Sequence, residues 1–386
     1  MRLSHIRKLK LMKNHLNTRI DARSWLLAWG SLFLASPAVL GQETASTPEE
    51  EADIKIAVVA TRSEEPILDT AGTANAVTAD EMVSQGGVNL TEALRYEPGV
   101  SVPFDFAGQS GFVPYLGGGD QAINIRGIEG NRVALQLDGI RQPEDFVAQA
   151  FLGAGGPGRI YFDPAILNQL EVYKSAASSL YGGDALGGVV EGRTVSPETL
   201  LGSELEGTAF TNTATYASVD ASLNNRLTAA TGNGKTAGSL VYSFRDGAER
   251  ENNGAIPPNP RDFDSHALVL KGVYGEETWD IRATLDGFRY QSFLEGNAAE
   301  GSFFNGRVVN DEVTLEEERE RLRASLRGSW KPANPLPLAD SIFWHGYAQE
   351  ATTNTRNRQV GQVQFGPFPT PRDRVNDITY ETRIWG

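Results

Sequence analysis

The chain has 386 residues, of which 35 are basic and 49 acidic, and its net charge is −14. It has no cysteine, which excludes disulfides, thiolate metal sites and thiol nucleophiles. Only four histidines are present, so imidazole catalysis has few candidates, and the acidic balance argues against a nucleic-acid partner.

Residues 1–41 have the features of a secretory signal peptide. Seven basic residues and one acid precede an apolar run that starts at Trp25 and ends in small residues near Gly41. The alternative is a membrane anchor, but the run is only ~17 residues long and a spanning helix needs ~20. Removal of this segment takes the net charge from −14 to −20. We therefore expect an exported protein without a transmembrane helix.

The next segments predict a small mixed α/β domain over residues 54–196. Residues 42–53 form a flexible acidic tether, and the run at Ile54–Arg62 is typical of a strand. Thr78 to Glu81 and Asn89 to Glu92 are capping boxes, each of which predicts a short helix.

The middle of this domain contains two short alternating runs, Ile123–Arg126 and Val133–Leu137. They flank a Gly/Asn turn and predict a compact pair of strands. The dipeptide Asp163-Pro164 predicts a helix start that runs into a strand, and a last strand is expected to end near Ser196.

From about residue 200 the sequence alternates between apolar and polar residues. In Trp279–Leu285 the odd positions are apolar and the even positions are polar or charged. Full charges on the polar face, with short and long connections, favour an outer-membrane β-barrel with apolar side chains outside. We expect about eight such strands between residues 204 and 386. The charge run Glu316–Arg323 is predicted to be a strand rather than a salt-bridged helix.

No pattern indicates catalysis, a metal or a cofactor, and the chain is not predicted to be an enzyme. The match of Gly153–Gly158 to G-x-G-x-x-G lacks the flanking strand and helix of a nucleotide site. His266 and His345 are isolated, which favours polar positions in a pore or interface over metal or haem ligands.

Residues 54–196 resemble the plug domain of TonB-dependent outer-membrane receptors, closest to the haemoglobin/haem/transferrin-type branch. The resemblance rests on several stretches in order: IKIAVVATR, LTEALRYEPGVSV, INIRGIEGNRVALQLDGIRQP and FDPAILNQLEVYKSAASSLYGGDALGGVV. It implies a small α/β plug domain followed by antiparallel transmembrane β-barrel strands, in the bacterial outer membrane. Residues 197–386 would be the N-terminal part of the barrel.

The resemblance also implies a function, namely ligand-gated import of an iron-containing ligand such as haem, a haem-protein or a ferric siderophore. The partners would be outer-membrane lipid and the TonB–ExbB–ExbD energy-coupling complex. This complex would engage a short coupling segment: Asp53, Ile54, Lys55, Ile56, Ala57 and Val58. The glycine-rich plug loops would contact ligand through Phe112, Tyr115, Gly117, Gly118, Gly119, Phe151 and Gly155. Arg126, Arg132 and Arg141 would pair with acids of the barrel.

Two departures from the family pattern concern the ligand and the last plug strand. The plug contains no histidine, and VVEGRTV replaces the usual Asn-bearing version of its last strand. Alternative functions are import of a non-iron nutrient, a signalling receptor of the same fold, or a soluble secreted β-rich protein. A barrel of ~22 strands needs more residues than this chain has, so we expect it to be part of a longer receptor.

Overall fold

A computed structural model describes residues 56–57, 65–66, 73–84, 89–102, 123–144, 162–183, 185–249, 258–333 and 339–386. The predicted signal peptide and acidic tether lie outside these ranges. The described residues belong to one compact unit that contains two main sheets. Within the described ranges, no helix is long and apolar enough to cross a membrane.

The first part of the chain forms short strands and helices. Its strands are β1 (Ile56–Ala57), β2 (Glu65–Pro66), β3 (Ala74–Thr78), β4 (Val100–Ser101), β5 (Asn124–Ile125), β6 (Val133–Leu137), β7 (Ile140–Arg141), β8 (Leu167–Tyr173) and β9 (Gly188–Thr194). Its helices are α1 (Ala79–Ser84), α2 (Leu90–Ala93), α3 (Ser178–Tyr181) and α4 (Pro197–Leu201). The order β3-β8-β9-β6-β7 defines what we call the N-terminal sheet.

The predicted helix starts are confirmed. The Glu81 backbone N–H donates to the Thr78 hydroxyl at 3.3 Å, and the Glu81 carboxylate accepts from the Thr78 N–H at 2.9 Å. The Asn89 side chain accepts from the Glu92 N–H at 2.8 Å at the start of α2. Asp163 caps a 3-10 turn at Pro164–Ile166, which runs directly into β8.

The predicted pairing of residues 123–126 with 133–137 is wrong. β5 pairs with β4, whereas β6 pairs with β7 and, in parallel, with β9. All five residues of β6 are buried, as expected for a parallel strand covered on both faces. A short alternating run does not specify its partner, because register depends on residues far away in the sequence.

The second part forms one antiparallel sheet, which we call the C-terminal sheet. Its strands are β10 (Glu206–Ala217), β11 (Ser222–Asn233), β12 (Thr236–Ala248), β13 (Arg261–Gly275), β14 (Trp279–Glu295), β15 (Gly301–Phe303), β16 (Val308–Trp330), β17 (Ile342–Val363) and β18 (Thr370–Trp385). The long strands follow chain order, and the short β15 pairs with β16. These strands confirm the barrel-type pattern, and β16 confirms that residues 316–323 are a strand.

The two faces of the C-terminal sheet have opposite chemistry. The face towards the N-terminal sheet buries charged side chains, and Arg245, Arg319 and Arg323 are among the largest fully buried ones. The other face exposes large apolar residues such as Leu285 and Leu322. The sheet is therefore polar inside and apolar outside, as the alternation predicts.

Candidate functional site

Asp138 lies in the turn between β6 and β7, where the two sheets meet. Asp138 and Gly139 have φ values of 49° and 77°, as a two-residue type I′ hairpin requires. Asp-Gly is a favoured sequence for this turn, so local backbone preference places the carboxylate. Thr194 of β9 then orients it, because the Thr194 N–H and hydroxyl donate to the carboxylate at 2.9 and 2.8 Å.

Two cations of the C-terminal sheet reach the same carboxylate. Lys271 Nζ on β13 lies 3.3 Å from Asp138 Oδ1, and Arg323 Nη2 on β16 lies 2.7 Å from Oδ2. Burial acts to raise the pKa of Asp138. The charges of Lys271 and Arg323 outweigh burial, with help from the Thr194 hydrogen bonds, and hold the pKa well below its ordinary value. Asp138 is therefore an anion at any physiological pH.

Asp286 of β14 completes this arrangement. It stands opposite Arg323 in the strand register and is bonded to both Arg321 and Arg323. All three side chains have zero exposure. Arg323 thus joins a carboxylate of each sheet. We call Asp138, Lys271, Asp286, Arg321 and Arg323 the charged cluster.

Amide side chains extend the contact beyond the charged cluster. Arg321 Nη1 donates to Gln142 Oε1 at 3.0 Å. Gln142 Nε2 in turn lies 3.4 Å from Gln349 Oε1, and Gln349 donates to the Arg141 carbonyl at 3.2 Å. These bonds tie the segment after β7 to β16 and β17.

Two further polar contacts lie to either side. Arg282 on β14 pairs with Glu198 of α4 and, at 2.9 Å, with Asp280. The Ser265 hydroxyl on β13 lies 3.5 Å from Asp163 Oδ2, and burial raises the pKa of that carboxyl. The N-terminal sheet is therefore held to the C-terminal sheet at several separate points.

The charged cluster is suited to holding two parts together rather than to catalysis. Each of its carboxylates faces a cation, and within the described ranges no group of three His, Asp or Glu could hold a metal ion. A buried ion pair adds little net stability over apolar packing, yet removing one partner destabilises by several kcal/mol (about 3–5). Such contacts define a specific docking position of the two sheets.

The predicted coupling and ligand residues are only partly visible. Ile56 and Ala57 form β1, which pairs with β2. The other coupling residues, Asp53, Ile54, Lys55 and Val58, lie outside the described residues. The predicted ligand contacts also lie outside them: Phe112, Tyr115, Gly117, Gly118, Gly119, Phe151 and Gly155.

The three predicted plug arginines have described contacts within the plug domain itself. Arg126 donates to the Thr73 hydroxyl at 3.4 Å, Arg132 donates to the Glu129 carbonyl at 3.3 Å, and Arg141 pairs with Glu144 at 2.9 Å. Their pairing with barrel acids stays a prediction.

The described ion pairs between the sheets have the opposite polarity, with carboxylates on the N-terminal side and cations on the C-terminal side. Sequence reasoning missed Asp138, Arg321 and Arg323. The available signal was the spacing of Arg319, Arg321 and Arg323, which puts three cations on one strand face.

The two barrel histidines lie apart from the charged cluster. His266 on β13 has its Nδ1 2.8 Å from the Tyr242 hydroxyl and packs beside Phe244. His345 on β17 stands opposite Arg327 in the register. By register, His266 lies on the outer face of the C-terminal sheet and His345 on its inner face.

Comparison with known proteins gives a family match for the first part of the described chain. Residues 66–189 match the family described as TonB-dependent Receptor Plug Domain. Transferrin-binding protein A of Neisseria meningitidis serogroup B is 28% identical over 282 residues, which are 69% of this chain and 28% of that protein. The hemin receptor of Yersinia enterocolitica is 26% identical over 316 residues, which are 79% of this chain and 42% of that protein. The chain thus spans less than half the length of these two relatives.

A solved structure shows the same fold. The FrpB iron transporter from Neisseria meningitidis superposes with a TM-score of 0.54 at 15% sequence identity, over 81% of this chain and 49% of that chain. The two-sheet arrangement described above is therefore that of a plug domain packed against barrel strands. Residues 66–189 are therefore a TonB-dependent receptor plug domain, followed by antiparallel strands that resemble the barrel strands of such receptors.

Proposed function

We propose that this receptor imports an iron-containing ligand across the outer membrane, using energy supplied through TonB. The supporting observation is the charged cluster, in which ion pairs hold the plug domain against the inner face of the barrel strands. Iron is the proposed cargo because the relatives are named for transferrin and hemin.

The outer membrane has no ATP and no ion gradient, so tight binding alone cannot move a ligand inward. A mechanical step solves this problem. Ligand binding makes the segment Asp53–Val58 available, TonB binds it as an added strand, and pulling rearranges the plug domain. The polar, acidic sequence before this segment suits such capture.

The pairing of β1 with β2 bears on this step. The backbone groups of Ile56 and Ala57 are already paired with Glu65–Pro66. A partner strand that adds to the coupling segment must replace this pairing. Because only two residues are involved, the exchange requires the loss of few hydrogen bonds.

The decisive experiment removes the coupling segment. Deletion of residues 53–58 is expected to abolish uptake of labelled iron ligand while leaving ligand binding to whole cells unchanged. The matched control deletes six residues of the tether, 44–49, and is expected to keep uptake. Wild-type uptake after deletion of residues 53–58 would overturn the proposal.

The same strains identify the cargo. Haemin, a haem-protein, a ferric siderophore and a non-iron nutrient such as cobalamin are supplied separately as the limiting nutrient. Growth on an iron source that is lost on deletion of residues 53–58 supports iron import. Growth dependence on cobalamin alone would support the non-iron alternative, and recovery of the protein in a soluble periplasmic fraction would support a secreted protein.

A further inference from the structure

Two glutamates face each other in the interior of the N-terminal sheet. Glu171 of β8 and Glu191 of β9 are register partners in an antiparallel pair. Their exposed fractions are 0% and 5%. Like charges placed directly opposite destabilise a strand pair, and burial increases the cost of each charge. A pair of this kind in the middle of a sheet therefore calls for a proton or a cation.

Among the cations that the structure describes, Arg193 acts on both carboxylates. Arg193 Nε lies 2.5 Å from Glu171 Oε1, and Gln169 donates to the same oxygen at 3.2 Å. Arg193 thus compensates mainly the charge of Glu171.

The strands beside Glu191 stabilise its ionised carboxylate less. The Gly139 backbone N–H donates to it, and its register partner on β6 is the neutral Gln136. Asp138 adds a second negative charge nearby. Burial, and then the negative charge of Glu171, raise the pKa of Glu191 from 4.5 to about 7.

We propose that Glu171 and Glu191 form a proton-sensitive weak point of the plug sheet, at which a proton on Glu191 keeps β8 and β9 tightly paired. When both carboxylates are ionised, their repulsion makes this strand pair open more readily. The pH effect on this strand pair does not depend on the proposed import function. Its role does rest on that function, since plug rearrangement is the step that the weak point would regulate.

The sign of the pH effect follows from linkage. The folded plug binds the Glu191 proton more tightly than an opened plug does, because the pKa is about 7 in the fold and 4.5 in an unperturbed glutamate. The stabilising contribution is complete below pH 4.5. It is lost progressively as the pH rises from 4.5 through about 7 and is absent well above 7.

Amide hydrogen exchange of the full chain in lipid vesicles tests the proposal directly. Exchange is followed by mass spectrometry in peptides that contain β8 and β9 at several pH values from 5.5 to 8.5, after correction for intrinsic exchange. We expect the opening constant of these strands to rise by about tenfold or more across this range. No ligand or TonB is present, so this result does not depend on whether the import proposal is right.

Three variants make the test specific. Glu191→Gln should give high protection that no longer depends on pH. Glu171→Gln removes the facing charge and should move the loss of protection to lower pH. Glu129→Gln makes the same change at an exposed plug carboxylate and should behave as the wild type. A wild-type opening constant that is flat with pH, or an equal pH dependence in Glu191→Gln, would overturn the proposal.

Discussion

The two sheets bury opposite kinds of side chain, although both obey the same alternation of strand residues. The N-terminal sheet buries Leu135, Leu170 and Val172 completely. The C-terminal sheet buries Arg319 and Arg323 as completely, while exposing Leu322 at 60%. The difference shows that alternation specifies two faces but not which face is inside.

The reason lies in what each sheet contacts. The plug sheet buries its apolar side chains in a core of its own, because their removal from water is favourable. The barrel strands face lipid on one side, so their polar residues turn inward and meet the plug. Charges buried in this way must be paired, and the charged cluster provides the pairing. Stability of the plug should therefore depend on packing and backbone geometry, and stability of the contact on ion pairs.

The largest expected effect comes from removing the shared anion of the barrel strands. Asp286→Asn leaves Arg321 and Arg323 buried with less compensation. We expect the free energy of unfolding to fall by about 3–5 kcal/mol, measured by urea titration of tryptophan fluorescence in lipid vesicles. Glu350→Gln is the control, because Glu350 pairs with Arg383 on the exposed face and should change stability little. Equal losses in both variants would contradict the buried role of Asp286.

The next largest effect is expected on the outer face of β14, where two positions lie at different depths in the membrane. Ile281→Arg puts a charge in the apolar band and is expected to destabilise membrane assembly by about 2–4 kcal/mol. Gln291→Arg lies on the same face of β14, beyond that band, where Gln291 already donates to Glu318 at 2.8 Å. It should have little effect. Assembly is scored by resistance to extraction from membranes, and equal tolerance of both changes would contradict a lipid-facing band.

A third prediction is that a change in backbone geometry destabilises the N-terminal sheet and leaves the C-terminal sheet unaffected. Gly188 at the start of β9 has a φ of +144°, and a Cβ there would lie 2.2 Å from the Tyr173 carbonyl oxygen. Gly188→Ala is expected to destabilise the plug by about 1–3 kcal/mol. Hydrogen exchange should increase in plug peptides and not in barrel peptides. Gly183→Ala, where a Cβ has open space, should leave exchange unchanged.

The smallest predicted effect is local to α2. Asn89→Ala removes the side chain that accepts from the Glu92 N–H, and should reduce plug stability by about 1 kcal/mol. Asn89→Asp keeps an acceptor at the cap and should retain most of that stability. A loss of the same size in both variants would show that the cap hydrogen bond is not the source of the effect.

Local sequence patterns were sufficient to predict the helices and strands that contain them. The caps at Thr78 and Asn89, the helix start at Asp163 and the alternation in β14 are each complete within a few residues. They therefore appear in the structure where the sequence predicts them. The family resemblance predicted the larger organisation, a plug domain followed by barrel strands. The boundary at residue 196, the coupling segment and the ligand loops stay predictions.

Contacts between distant residues were decided only by the tertiary structure. Val133–Leu137 pairs with β9 rather than with the neighbouring run, because its partner is set by burial on both faces. Asp138 meets Arg323 across 185 residues of chain, and Glu171 meets Glu191 only through the β8–β9 register. The sequence by itself determined the local elements and the two-faced strands. Which charges meet depends on how those strands pack, since pairing energy arises only once distant groups share a low-dielectric interior.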